Sequence, residues 1–330
     1  MNIENLVLHG VLWLLAGLAL VTVGAEVVVR SASHVAASLG VSPMMLGLTV
    51  VAIGTRMPEL AVGITAANQN SGALAVGNIA GTNVLNILLI LGLSAMLKPL
   101  SLELRVLRLD LPVMLAAALM MGLLAWDGML DRTEGALLLV SALLYTVVLV
   151  QVARRESRAV RREFREIYGV PRTRHAGRQR AIAGLLLVAG MALTVLGADW
   201  LVDGASSIAR SFGVSEAVIG LTIVAVGTSA PELVTTVMST LKGERDVAIG
   251  NLLGSSIYNI LVILGLTCLL ATRPLAVDRE LLVVDIPLMA GVALLCVPVF
   301  VTGRSVSRAE GTLFVAGYLT YLALLLGLRA

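Results

Sequence analysis

The sequence predicts an all-α integral membrane protein of ten transmembrane helices, folded as two inverted five-helix repeats, and three observations carry that prediction. Its 330 residues are 58% hydrophobic and 14% charged, with a mean hydropathy of +0.95; soluble domains are about 45 to 50% apolar and about 25% charged. Ten apolar runs reach the length of about 20 residues that a helix needs to cross a ~30 Å hydrocarbon core. Residues 47–92 also align with 220–265 at a constant offset of 173, with 20 identities in 46 positions and no gap.

In chain order the runs are 8–29, 43–67, 72–97, 109–126, 135–152, 181–202, 214–241, 247–271, 281–301 and 311–328. The first follows Glu4 with no basic segment ahead of it and no small-residue cleavage site behind it, so it is expected to stay as a span. Cys268 and Cys296 fall inside spans, where a packed apolar thiol is expected in preference to a disulfide or a metal ligand. The Arg residues behind the formal charge of +3 are placed as topology signals, with no aromatic stacking platform, which argues against nucleic-acid binding.

Lys and Arg are retained on the cytoplasmic side of a membrane. With the 153–180 segment taken as cytoplasmic, that side collects Arg30, Lys98, Arg105, Arg108, ten Arg from Arg154 to Arg180, Lys242, Arg245, Arg304 and Arg308. The other side collects only Arg132, Arg210, Arg273, Arg279 and Arg329, and Arg56 sits inside a span. Both termini are then expected outside, in a prokaryotic inner membrane.

The repeat organises the chain into a first half, 1–152, carrying the motif 47–92; a basic linker, 153–180; and a second half, 181–330, carrying the motif 220–265. Weaker matches extend outward: Glu26 with Asp199, Asp110 and Pro112 with Asp285 and Pro287, and Tyr145 with Tyr321. Five spans is an odd number, so the second half enters from the opposite face, the inverted layout in which secondary transporters place a substrate site near the midplane. The linker, with Glu156, Glu163 and Glu166 among its Arg, reads as a solvated connector; contact with anionic headgroups is the alternative.

Glu59 and Glu232 are matched residues in the most apolar parts of their spans, where a carboxylate is costly unless a cation or a proton offsets it. Each follows a proline, Pro58 or Pro231, which removes a helical N–H and clashes with the carbonyl of Gly54 or Gly227. Carbonyls near Ala52, Ile53, Ala225 and Val226 should then be freed, and free carbonyls persist at membrane depth where they line a cavity. The next span in each half carries Gly77, Asn78 and Gly81, or Gly250, Asn251 and Gly254, and glycines four apart allow close helix approach. A polar rung follows: Thr82, Asn83 and Asn86, or Ser255, Ser256 and Asn259. Thr82 and Asn86 share a helical face, as do Ser255 and Asn259. With Thr55, Thr228 and Ser229 the set is all hard oxygen, suited to sodium, calcium or magnesium and not to zinc or copper.

The two GTxxPEL and GNxxG segments closely resemble the alpha-repeats of the sodium/calcium exchanger family, in the calcium/cation antiporter superfamily, in its prokaryotic form with two such repeats; the layout extends the likeness over the chain. The resemblance implies a membrane antiporter, not an enzyme, whose partners are calcium and sodium ions, or protons, with no cofactor. It implies that Glu59 and Glu232 bind the ions, with ligands from Thr55, Thr82, Asn86, Thr228, Ser229, Ser255, Asn259 and the carbonyls of Ala52 and Ala225. It further implies alternating access, with spans 1 and 6 sliding over the core.

Two departures stand out. Arg56 occupies a position where the family usually has serine, as Ser229 does in the second copy, and Asn259 stands where several exchangers carry Asp. Three residues before Glu59, Arg56 should face the same cavity or its rim. It either reaches a glutamate as a tethered cation, altering stoichiometry or calcium affinity, or points to a water-filled vestibule. Two rival functions remain: an intramembrane hydrolase using the glutamates as acid and base, and a component that Arg56 has made incapable of transport. Glu26 and Asp199 read as interfacial anchors or ion gates, and His9, His34 and His175 as interfacial residues.

Overall fold

A computed structural model describes residues 3–39, 46–69, 71–155, 176–212 and 225–329. The first half contains α1 (Ile3–Leu39), a bent α2 made of α2a (Gly47–Gly54) and α2b (Met57–Asn68), α3 (Gly72–Leu97), α4 (Val106–Asp127) and α5 (Arg132–Arg155). The second contains α6 (Ala176–Ser211), α7a (Ala225–Thr228), α7b (Ala230–Lys242), α8 (Arg245–Leu270), α9 (Leu281–Val301) and α10 (Arg308–Arg329). Among the described residues seven helices are long and apolar enough to cross a membrane: α1, α3, α4, α5, α6, α8 and α9. The bent α2 makes up to eight. The chain is an all-α, multi-pass membrane protein. Its only described strands are four two-residue pieces: β1 (Leu100–Ser101), β2 (Met129–Leu130), β3 (Leu275–Ala276) and β4 (Ser305–Val306).

The expected linker 153–180 is helical at both ends, since α5 runs to Arg155 and α6 begins at Ala176; residues 156–175 lie outside the described range. So do 220–224 of the second motif.

The interior divides in two. One large apolar cluster joins α2 to α5 with α8 to α10. Among the described residues, α1 and α6 contribute nothing to it; they share two small clusters, one with α2a around Val28, Val51 and Met191, the other with α7b around Val21, Ala198 and Ala230. What joins α1 to α6 is glycine. A Cβ on Gly10, Gly17 or Gly24 would stand 3.1, 2.7 or 2.9 Å from the carbonyl oxygens of Gly204, Gly197 and Gly190, and the relation is reciprocal. The spacing is seven residues on both helices and runs in opposite directions, so the pair is antiparallel and packed backbone to backbone.

The halves also interlock. β1 pairs antiparallel with β4, and β2 with β3, so each ladder joins a loop of one half to a loop of the other. Gly92 of α3 meets Gly311 of α10, while the corresponding Gly265 of α8 meets Gly135 of α5. Helices α3 and α8 are the most enclosed of the long helices. Each changes to a π turn at its asparagine, Asn86–Leu91 and Asn259–Leu264; α4 and α9 both open with one, Val106–Asp110 and Leu281–Asp285.

Candidate functional site

The site is built where two helices break. In α2 the axis turns by 52° between Gly54 and Met57. Pro58 has no N–H to continue the ladder, and the turn before it tightens: the Arg56 N–H bonds to Ile53 O at 3.2 Å in place of Ala52 O. Of the carbonyls expected to be freed, that of Ile53 is therefore taken, while that of Ala52 loses its usual donor. The helix resumes with Leu60 N–H on Arg56 O at 3.1 Å. The second copy repeats the form, with Ser229 at φ −92°, ψ 6° against −89°, 8° for Arg56, and Leu233 N–H on Ser229 O at 3.0 Å. Ala225 opens α7a; its side chain lies outside the described range.

Glu59 and Glu232 start α2b and α7b, and both are buried. One side chain connects them. Nη1 of Arg56 donates to Oε1 of Glu59 at 2.7 Å, and its Nε stands 3.5 Å from Oε1 of Glu232. Carboxylates from opposite halves of the sequence thus meet within the width of one guanidinium. Arg56 is 0% exposed and the largest fully buried side chain described, so the expectation of a water-filled vestibule for it is wrong. The apolar span gives the charge no exit, and the nearest compensation is the glutamate pair.

Of the other residues expected at the site, Thr55, Thr82, Asn86, Ser229, Ser255 and Asn259 are all buried, and Thr228 is partly buried. Helix α2b touches the π turn that begins at Asn259, and α7b touches the π turn that begins at Asn86. Thr55 donates its hydroxyl proton to Val51 O at 3.1 Å, leaving oxygen lone pairs free for another partner. Ser229 Oγ, Ser255 Oγ, both amide atoms of Asn86 and of Asn259, Glu59 Oε2 and both carboxylate oxygens of Glu232 are buried without a hydrogen-bond partner in the protein. Leaving a buried polar group unsatisfied costs about 1–3 kcal/mol, so such a concentration calls for an explanation by function. Hard cations fit the donor set, which offers carboxylate, hydroxyl and amide oxygens. Among the described residues no group of three His, Cys, Asp or Glu comes together, and Cys268 and Cys296 are buried free thiols.

The glycine expectation holds at Gly254, where a Cβ would stand 2.5 Å from Leu48 O. Nothing described lies within 4 Å of the matching Gly81; Leu221, the repeat counterpart of Leu48, is outside the described range.

Some features had no warning in the motifs. Thr235, Thr236, Ser239 and Thr240 line α7b, all buried, where α2b has Val62, Gly63, Ala66 and Ala67. Thr235, Ser239 and Thr240 return their hydroxyls to carbonyls four residues back, and Thr236 accepts from Asn251 Nδ2 at 3.0 Å. Glu26 bonds Lys242 of α7b and Arg30, whereas its match Asp199 is exposed. His9 accepts from Trp13 Nε1 and His34 contacts Arg30 O, within α1; His175 lies outside the described range.

Broken helices, paired intramembrane carboxylates and a repeated scaffold define the class of membrane transporters. The sodium/calcium exchanger protein family model matches residues 9–151 and 182–327, and the chain belongs to that family. Inner membrane protein YrbG of Escherichia coli is 36% identical over 323 residues, covering 94% of this chain and 95% of its own. The sodium/calcium exchanger MaX1 of Methanosarcina acetivorans is 34% identical, covering 94% and 97%. The solved structure of the sodium/calcium exchanger from Methanococcus jannaschii superposes with a TM-score of 0.81 at 27% identity, covering 96% and 98%. These relatives include exchangers, transporters and not enzymes, and the hydrolase alternative falls with that finding.

Proposed function

We propose that the chain is a secondary active antiporter of the inner membrane that exchanges calcium for sodium, or for protons, by alternating access at a midplane site. The reading has ten spans as two inverted five-helix repeats, 1–152 and 181–330, joined by a cytoplasmic linker at 153–180, with both termini outside. Its support is the crossed pairing of β1 with β4 and β2 with β3. The loop after α3 lies beside the loop after α9, and the loop after α4 beside the loop after α8. Two five-span halves of opposite orientation put each of those pairs on one side of a membrane.

One observation carries the function: two carboxylates, one per half, meet in the apolar interior among oxygen atoms that lack partners. Glu59 and Glu232 are the ion-binding acids, with Thr55, Thr82, Asn86, Thr228, Ser229, Ser255, Asn259 and the carbonyls of Ala52 and Ala225 completing the shell. Competition couples the fluxes. Neither bare carboxylates nor an overfilled site crosses readily, so each ion type takes the site over one leg of the cycle. The test is uptake of radioactive calcium into proteoliposomes under a sodium gradient and then under a pH gradient. Glu59→Gln and Glu232→Gln should each abolish uptake; a signal surviving both removes the site.

The Arg56–Glu59 contact supports a second reading within the same class, a carrier that is differently coupled, or impaired, because a guanidinium stands where the family usually has a serine hydroxyl.

A further inference from the structure

We propose that Arg56 is a resident cation: its guanidinium fills the place of one transported monovalent ion, so each cycle moves one monovalent ion fewer per divalent ion than the bare glutamate pair would. The proposal rests on Glu59 and Glu232 being the transport site.

The geometry is that of a bridging ion. Nη1 lies 2.7 Å from Glu59 and Nε 3.5 Å from Glu232, so the charge sits between the acids of the two halves and not on one side of them. The side chain is completely buried, and arginine does not deprotonate in proteins, so the charge is permanent. It has not been absorbed elsewhere: Nε and Nη2 find no hydrogen-bond acceptor within bonding geometry, which leaves the glutamates as its compensation. Nor is the site closed to other ions, because Glu59 Oε2 and both oxygens of Glu232 carry no hydrogen bond. The repeat supplies the comparison within the molecule. The position equivalent to Arg56 is Ser229, whose buried Oγ is unpartnered; one half-site offers a neutral oxygen where the other brings a fixed positive charge.

Charge counting gives the consequence. Two ionised carboxylates carry −2, neutralised by two monovalent cations or by one divalent cation. With the guanidinium in place they carry −1, so one sodium ion or one proton brings the site to neutrality and one calcium ion brings it to +1. The monovalent leg becomes the neutral one, and the calcium leg moves a net positive charge. Per calcium ion, the wild type then carries one more net charge across the membrane than a protein without Arg56.

The test compares full-length wild type, Arg56→Ser and Arg56→Lys in proteoliposomes, counting sodium, proton and calcium movement in parallel with the membrane voltage clamped by a potassium ionophore. The wild type is expected to move one monovalent ion fewer per calcium ion than Arg56→Ser, with calcium uptake more strongly accelerated by an inside-negative potential, and Arg56→Lys should match the wild type. Equal ratios in wild type and Arg56→Ser overturn the proposal, as does a lysine variant that behaves like serine. A silent wild type beside an active Arg56→Ser also overturns it, since Arg56 would then be a plug. Failure of the two-glutamate reading looks different: uptake would persist in Glu59→Gln and Glu232→Gln. Should Arg56→Ser not fold, Arg56→Gln takes its place in the same count, and a ratio equal to that of the wild type overturns the proposal.

Discussion

Replacing Gly17 with valine should pry α1 from α6. A Cβ at that position would run into the backbone nitrogen of Leu201 and stand 2.7 Å from the carbonyl oxygen of Gly197, whereas ordinary contact begins at 3.4 Å, so the partner backbone must retreat by more than about 0.7 Å before the valine methyls are accommodated. Backbone cannot rotate away as a side chain does. Overpacking costs about 1–3 kcal/mol where side chains absorb it, and here the upper part of that range is expected, because separating the helices also loosens the contacts at Gly10 and Gly24. Gly184→Ala is the control: on the partner helix α6, nothing lies within 4 Å of a Cβ there, and alanine gains up to about 1 kcal/mol of helix propensity. Thermal unfolding of both variants in detergent reads the difference. Gly17→Val should melt clearly below wild type, and Gly184→Ala at or above it. Equal midpoints for Gly17→Val and wild type would refute the backbone contact as the bond between these helices.

Other outcomes follow from the same geometry. Glu59→Gln removes the close partner of a buried guanidinium and should cost about 3–5 kcal/mol in cation-free detergent; Glu232→Gln, whose contact is 3.5 Å, should cost less, and the reverse order in chemical unfolding would contradict the pairing. Tyr145→Phe deletes the 2.8 Å hydrogen bond to buried Asp110 and should lower stability by about 1.5–3 kcal/mol, which thermal melts would register. Glu26→Gln breaks contacts to Lys242 and Arg30 on a partly exposed surface. It should cost under about 1 kcal/mol, a difference that vanishes in high salt.

How much of this was legible beforehand depends on which residues answer to local rules. Pro58 and Pro231 announced the breaks because a missing N–H acts within one turn. Glu59 and Glu232 announced the site because a carboxylate in an apolar run has few innocent explanations. Arg56 was visible as an anomaly, yet its reach across to Glu232 depends on how α7 lies against α2, and no local spacing contains that. The glycines of α1 recur every seven residues in the sequence, as do Gly190, Gly197 and Gly204 of α6, but only the antiparallel pairing shows that Gly17 faces Gly197. The π turns at Asn86 and Asn259 were hidden for another reason: the runs NILLIL and NILVIL satisfy an ordinary helix equally well. The hydroxyls of α7b lie within a run that reads as apolar overall, and only their burial marks them as turned inward.

The crossed ladders bear on assembly. Before its second half exists, the chain has no β4 for β1, no β3 for β2, and neither Gly311 for Gly92 nor Gly265 for Gly135. An early intermediate of translation therefore holds α3, whose surface is mostly destined for protein, against lipid or a helper. The two parts mature together or not at all, and a truncated first half should be a target for quality-control proteolysis instead of a free-standing unit.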